Sequence, residues 1–115
     1  MADKIVYRYW GIRGLGQVGR LLLSYTETPW ENKLYTSHDD WFVNDKPKAG
    51  GFANLPNLTD GDFVLNESEA IARYVIRRSK NDDMLGKDAK EIGRVDEAMG
   101  IINESMVKAL SLIHI

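Results

Sequence analysis

The first third of the chain combines two strand-like segments with a helix-like segment between them. Lys4 to Trp10 is rich in β-branched and aromatic residues, and Val18 to Tyr25 has helical character after a turn with several glycines. Trp30 to Tyr35 again has the composition of a strand. A strand, a helix and a strand in this order form a β-α-β unit with two parallel strands. The sequence therefore predicts an α/β fold.

The middle of the chain predicts an irregular segment and then a β-hairpin. Residues 37–54 include a proline and two adjacent glycines, which favour an irregular segment containing one short helix. Asp60-Gly61-Asp62 separates two short strand-like runs at 57–59 and 63–65. Asp-Gly between such runs is typical of a tight hairpin turn.

Two helices are predicted in the second half, separated by a polar linker at 80–87. The first has one apolar face, formed by Ala70, Ile71, Tyr74 and Val75. The second is long, and its apolar residues recur at spacings of three and four: Ile92, Val95, Met99, Ile102, Met106 and Leu110. A domain of about 80 residues, whose helices already cover its sheet, cannot cover this stripe as well. We therefore expect further chain to pack on it, and this chain to be a fragment.

Composition narrows the class of protein. The chain has 115 residues, a net charge of −2 and no cysteine. It is too short for a complete six-stranded dinucleotide fold, and its charge gives no positive field to attract nucleic acid or an anionic membrane. Without cysteine, any sulfur chemistry must use sulfur from the substrate. His38 and His114 have no ligand pattern around them, so no metal site is expected.

The localisation expected from the sequence is cytoplasmic. The first ten residues lack the apolar core of a signal peptide. No apolar run reaches the roughly 18 residues that a transmembrane helix requires.

Gly14, Gly16 and Gly19 match the G-x-G-x-x-G fingerprint of dinucleotide binding. In such a site the first glycine directly follows the strand, so that the pyrophosphate lies at the helix N-terminus. Here residues 10–13 intervene and make the loop too long. We expect these glycines to permit a tight turn and close packing instead.

Three segments together carry a family resemblance: "YWGIRGLGQVGRLLLSY" at 9–25, "FANLPNLTDGDFVLNESEAIARYV" at 52–75 and "GRVDEA" at 93–98. They resemble the N-terminal half of a cytosolic glutathione transferase, closest to the mu and sigma classes. The resemblance implies a thioredoxin-like glutathione-binding domain at 1–81, a linker at 82–87, and at 88–115 the first helix of an all-helical domain. It also implies an enzyme that conjugates glutathione, a co-substrate rather than a cofactor, to hydrophobic electrophiles.

The resemblance implies that Tyr9, at the end of the first strand, donates a hydrogen bond to the glutathione sulfur. A phenol with a pKa of about 10 keeps its proton at neutral pH and can donate it. Tyr7 lies on the same face of the strand and is a rival for this role. An ordinary structural role in the core is the alternative for either tyrosine.

The remaining glutathione contacts follow from the same resemblance. Ser68, with the free N–H groups of its helix, suits the γ-glutamyl carboxylate, and Glu67 suits the ammonium, although helix capping by Asn66 or Glu67 is an alternative. Leu55-Pro56 resembles a cis-proline turn whose Leu55 backbone pairs with the cysteinyl residue, supported by Asn54. The glycyl carboxylate is assigned to Trp10, Trp41 and Lys46. Lys46 aligns only with a one-residue shift, and is otherwise a solvated surface lysine.

Two further residues would act in a homodimer. Asp96 resembles an aspartate that reaches the γ-glutamyl ammonium of the neighbouring subunit, and Phe52 resembles the aromatic key of the mu interface. The segment between Tyr35 and Trp41 is shorter than in typical mu enzymes. The helices that usually build the electrophile pocket are also missing. A non-catalytic glutathione-binding or dimerisation module is therefore the alternative function.

Overall fold

A four-stranded mixed sheet forms the centre of the computed structural model, which describes residues 4–50 and 52–113. The strands are β1 (Ile5–Trp10), β2 (Trp30–Tyr35), β3 (Asn57–Asp60) and β4 (Phe63–Asn66). Their order in the sheet is β2-β1-β3-β4, with β1 parallel to β2 and both other pairings antiparallel. This is the thioredoxin-like α/β fold that the resemblance implies, and the fold prediction is confirmed.

Helices α1 (Gln17–Tyr25) and α3 (Ser68–Arg78) lie side by side on one face of this sheet. Alternation along β1 points Ile5, Tyr7 and Tyr9 into the protein, because successive strand residues face opposite sides. Ile5 and Tyr7 pack with residues of both helices and of β3 in one core cluster, completed by Leu23, Leu58, Ile71 and Val75. The β-α-β unit thus fixes the position of the C-terminal end of β1.

The segment predicted to be irregular is more helical than expected. A π-helical turn at Asp40–Asp45 runs directly into the short helix α2 (Lys46–Ala49). Trp41, which is only 1% exposed, anchors this segment beside the ends of β1 and β2. Burial of this large indole favours order that the local glycines and proline do not predict.

The linker and the α3 face also differ from expectation. Asp82–Leu85 forms a 3₁₀ turn that buries Leu85, so the linker is not wholly polar loop. The buried face of α3 consists of Ile71, Ala72, Val75 and Ile76, whereas Ala70 and Tyr74 are half-buried.

The last helix, α4 (Ala89–Ile113), leaves three of the six residues of its predicted apolar stripe exposed. Ile92, Ile102 and Met106 are each at least 40% exposed, while Val95 and Met99 are half-buried. The side chain of Leu110 lies outside the described residues, as does His114. Among the helices described, none is both long and apolar enough to cross a membrane.

Candidate functional site

A second core cluster lies where β1 and β2 end and β3 begins. Tyr9, Tyr35, Trp41 and Leu55 are buried together, and Trp10, Leu15 and Ala49 pack against them. Four residues singled out in the sequence, Tyr9, Trp10, Trp41 and Leu55, therefore lie in one cluster, although they come from three separate segments of the chain.

The Tyr9 hydroxyl has an oriented environment. It accepts a hydrogen bond from the backbone N–H of Leu15 at 3.0 Å. A phenol that accepts one hydrogen bond still has its own proton to donate. Within residues 4–50 and 52–113 that proton has no acceptor, so Tyr9 can donate it to a bound group.

Tyr7 is placed differently. Its hydroxyl is fully buried and donates to the carbonyl of Gly16 at 3.0 Å. Burial raises the pKa of Tyr7 well above its ordinary value. Its proton is thus committed inside the core, which favours Tyr9 over Tyr7 as a donor to a ligand.

The glycine fingerprint is explained by these two tyrosines. A Cβ at Gly14 would lie 2.7 Å from the Tyr9 oxygen, one at Gly16 would overlap the Tyr9 ring, and one at Gly19 would overlap the Tyr7 ring. The turn and the start of α1 approach β1 so closely that a methyl group cannot fit. Packing against two phenol rings therefore accounts for the spacing of the glycines.

Arg20 is a positioning residue that the sequence patterns did not reveal. Its Nη1 donates to the Ile12 carbonyl at 2.7 Å and its Nη2 to the Trp10 carbonyl at 2.8 Å. The guanidinium carbon also lies 5.5 Å from the centroid of the Tyr9 ring. Arg20 thus ties α1 to the loop after β1. The available signal was a single charged residue within the largely apolar run of α1.

The N-terminus of α3 is open. Glu67 precedes the helix with a φ of 77°, an uncommon conformation for a residue other than glycine. No capping hydrogen bond comes from its side chain. Asn66 does not cap in its place, because its Oδ1 accepts from Asn54 and Asn57. The first N–H groups of α3 and the strained residue before them make a suitable place for a carboxylate.

The Leu55-Pro56 peptide bond is cis, as the resemblance implied. The Leu55 N–H donates to the side-chain oxygen of Asn54 at 2.9 Å. The Asn54 N–H in turn donates to Asn66, which connects this turn to the start of α3. Pairing of the Leu55 N–H with a ligand requires the Asn54 carboxamide to turn away.

Lys46 closes the π-helical turn that contains Trp41. The Lys46 N–H bonds to the carbonyl of Trp41, five residues earlier. A π turn holds one more residue than an α turn, so Lys46 still lies one turn beyond Trp41. The Lys46 ammonium nitrogen is 5.3 Å from the centroid of the Phe42 ring. The centroids of the Phe42 and Trp10 rings are 5.8 Å apart. Phe42 therefore connects Lys46 to Trp10.

An ionic pair stabilises the same segment. The Tyr35 hydroxyl donates to Asp45 at 2.6 Å, and Lys33 lies 2.9 Å from the same carboxylate. These hydrogen bonds, from Tyr35 first and then Lys33, lower the pKa of Asp45. Burial, followed by the bond to Asp45, raises the pKa of Tyr35. The segment that carries Trp41 and Lys46 is thus fastened to β2.

A small apolar cavity lies between the turn before α1, α3 and α4. Its volume is about 60 Å³, and its lining includes Leu15, Val18, Met99, Ile102 and Met106. Ser68 also lines it and donates its hydroxyl proton to Oδ1 of Asn103 at 2.7 Å. Asn103 was not among the candidate site residues predicted from the sequence. The available signal was a polar residue between Met99 and Met106 of the apolar stripe.

Asp96 and Phe52 are not drawn into this site. The Asp96 carboxylate accepts from Arg73 of α3 at 2.8 Å, and Phe52 is 94% exposed. Among the residues described, no three of the side chains His, Cys, Asp and Glu come close enough to hold a metal ion.

The chain is similar in sequence to a known protein family. The profile of the family described as "Glutathione S-transferase, N-terminal domain" matches residues 5–77. The chain is 45% identical to "Glutathione S-transferase 2" of Gallus gallus over 96 aligned positions, and the match covers 76% of this chain and 42% of that protein. It is 39% identical to "Glutathione S-transferase Mu 1" of Macaca fascicularis over 107 aligned positions, and the match covers 84% of this chain and 48% of that protein.

A solved structure agrees with these matches. The glutathione S-transferase from Ascaris lumbricoides superposes with a TM-score of 0.76 and 29% identity, covering 96% of this chain and 51% of that one. The chain spans about half the length of the curated relatives it matches.

Proposed function

Because the chain belongs to the glutathione S-transferase N-terminal domain family, we propose that it is the glutathione-binding part of a transferase that conjugates glutathione to electrophiles. The observation that carries this proposal is the Tyr9 hydroxyl, which accepts from Leu15 N–H and keeps its own proton for a ligand. Lowering a thiol pKa by about two units requires roughly 2.7 kcal/mol. One hydrogen bond to a charged acceptor supplies about 1.5–3 kcal/mol. Tyr9 therefore acts as an electrostatic stabiliser of the thiolate and not as a nucleophile.

Glutathione would lie across the ends of the strands. Ser68 and the open N-terminus of α3 take the γ-glutamyl carboxylate, and Glu67 takes the ammonium. The backbone of Leu55 pairs with the cysteinyl residue once the side chain of Asn54 turns away. Trp10, Trp41 and Lys46 hold the glycyl carboxylate, with Lys46 as the cation. The connection of Asn54 to Asn66 supports a single continuous site.

The apolar cavity beside Leu15 and Val18 supports a hydrophobic electrophile. In the whole protein we propose a cytoplasmic homodimer. A ring as exposed as that of Phe52 favours insertion into a partner. Asp96 reaches a neighbouring γ-glutamyl ammonium only if it leaves or shares Arg73.

Tyr9→Phe tests the thiolate role. Glutathione is titrated into the chain, and the ultraviolet absorbance of the thiolate is followed against pH. The unsubstituted chain should lower the thiol pKa of bound glutathione by about two units, and Tyr9→Phe should remove most of that shift. Tyr25→Phe, which alters a largely exposed tyrosine, is the matched control. An unchanged thiol pKa in Tyr9→Phe would show that Tyr9 has been misassigned.

The uncovered stripe of α4 favours a second candidate, a glutathione-binding or dimerisation module without turnover. Conjugation of a generic electrophile is measured beside the glutathione titration. Turnover proportional to protein concentration supports the enzyme, whereas binding without turnover supports the module.

A further inference from the structure

Asn103 occupies a polar position in an otherwise apolar setting. It lies on α4 four residues after Met99 and three before Met106, and lines the same cavity as both methionines. Its side chain is half-buried, so its carboxamide needs hydrogen-bond partners to offset the loss of water. The partner that the structure provides is the Ser68 hydroxyl at the start of α3.

This contact conflicts with carboxylate binding by Ser68. A serine hydroxyl has one proton and can accept two hydrogen bonds. In the structure that proton points to Oδ1 of Asn103. A carboxylate is only an acceptor, so Ser68 must redirect its proton before it can bind one.

A carboxamide can resolve the conflict without moving the backbone. Rotation about its terminal bond exchanges Oδ1 and Nδ2, and the Nδ2 atom then donates to the Ser68 oxygen. Ser68 would accept from Asn103 and donate to the ligand at the same time. Hydrogen bonds in such a chain strengthen one another.

We propose that Asn103 is a positioning residue for glutathione, acting through Ser68 as a donor that replaces the acceptor found in the structure. This rests on the proposed function, because the ligand group concerned is the γ-glutamyl carboxylate. Residues of α4, and not only those of the thioredoxin-like part, then determine glutathione affinity.

Asn103→Asp tests the exchange. An aspartate has almost the same shape but only accepts, and it adds a negative charge beside the carboxylate. Glutathione affinity, measured by calorimetric titration of the chain, should fall about tenfold or more, the effect of losing one charge-assisted hydrogen bond. Asn32→Asp, at an exposed position on β2, introduces the same charge elsewhere and should leave the affinity unchanged.

A second ligand separates positioning from simple structural damage. In a glutathione analogue whose γ-glutamyl α-carboxylate is a primary amide, the group can donate as well as accept. Asn103→Asp should then weaken analogue binding less than twofold. In a Ser68→Ala background, Asn103→Asp should cost much less glutathione affinity than it does alone, because the residue acts through Ser68.

The outcomes distinguish the inference from the proposed function. Failure of the unsubstituted chain to bind glutathione overturns both. Normal binding by both the unsubstituted chain and Asn103→Asp overturns only the role of Asn103. Equal losses for glutathione and the amide analogue assign Asn103 a structural role and also overturn the inference. If Asn103→Asp does not fold, as judged by circular dichroism, Asn103→Ala takes its place, with about a threefold loss expected for glutathione alone.

Discussion

Near Tyr9, the turn that precedes α1 packs so closely on β1 that it needs residues without a side chain. Gly16 illustrates this, because a Cβ there would overlap the ring of Tyr9, whose hydroxyl oxygen accepts from the neighbouring Leu15. Two glycines of the nucleotide-binding fingerprint, Gly14 and Gly16, thus pack against the side chain of Tyr9. A local motif did not reveal this, because the ring that fills the space comes from the preceding strand.

Gly16→Ala should destabilise the chain. A methyl group forced against the Tyr9 ring costs about 1–3 kcal/mol in the free energy of unfolding, as in other overpacked cores. Gly93→Ala is the matched control, since a Cβ there meets nothing within 4 Å. Because Gly93 lies in the interior of α4, Gly93→Ala should instead raise the free energy of unfolding by about 0.5–1 kcal/mol. Urea unfolding of both variants checks that the free energy of unfolding falls in Gly16→Ala and rises in Gly93→Ala. If Gly16→Ala were as stable as the unsubstituted chain, close packing of Gly16 on the Tyr9 ring would be refuted.

Local sequence patterns were sufficient to predict the four strands and the helix α1 between β1 and β2. The strands lie within one residue of their predicted bounds, and the turn at Gly61 has the positive φ that its hairpin requires. The π-helical turn around Trp41 was not predicted, because burial against Tyr9 and Tyr35 stabilises it rather than its own sequence. The pairing of Ser68 with Asn103 was missed for a similar reason, since it depends on how α4 packs against α3.

The β-hairpin is joined to α3 by one carboxylate. Asp60 accepts from the Tyr74 hydroxyl and from Nε of Arg78, each at 2.6 Å. Burial alone would raise the pKa of Asp60, but these two hydrogen bonds lower it below its ordinary value. A carboxyl group with a lowered folded pKa stabilises the fold above its unfolded pKa of about 3.9. That contribution is lost as the pH falls through the folded pKa.

Asp60→Asn should therefore reduce the free energy of unfolding at neutral pH by about 1.5–3 kcal/mol, the usual contribution of hydrogen bonds to a charged group. Stability of the variant should also fall less between neutral pH and pH values below about 3.9. Denaturant titrations across that range measure both effects. Asp62→Asn, exposed on the same turn, should behave like the unsubstituted chain. If the stability of Asp60→Asn and that of the unsubstituted chain fell in parallel with pH, Asp60 would not be the source of the stability lost at low pH.

For the whole molecule, the distribution of apolar surface is uneven. The sheet, α1 and α3 enclose a core, whereas five apolar residues of α4 are each 40–59% exposed: Ile92, Ile101, Ile102, Met106 and Val107. The predicted stripe, which includes Ile92, Ile102 and Met106 but not Ile101 or Val107, was expected to exceed what the chain itself can cover. Relatives are about twice as long as the matched span, so they contain residues that could cover such a surface.

This surface should bind an anionic dye that fluoresces on contact with exposed apolar groups. Ile101 and Val107 are 59% and 45% exposed, so replacing both by glutamate removes apolar surface without opening the core. The fluorescence of anilinonaphthalene sulfonate should fall in Ile101→Glu/Val107→Glu, while the free energy of unfolding should change by no more than about 0.5 kcal/mol per site. Lys90→Glu, also exposed on α4, makes the same change in net charge without removing apolar surface. If it lowers the fluorescence as much as the double variant does, dye repulsion and not surface apolarity explains the signal. Unchanged fluorescence in the double variant would instead show that the dye binds away from α4.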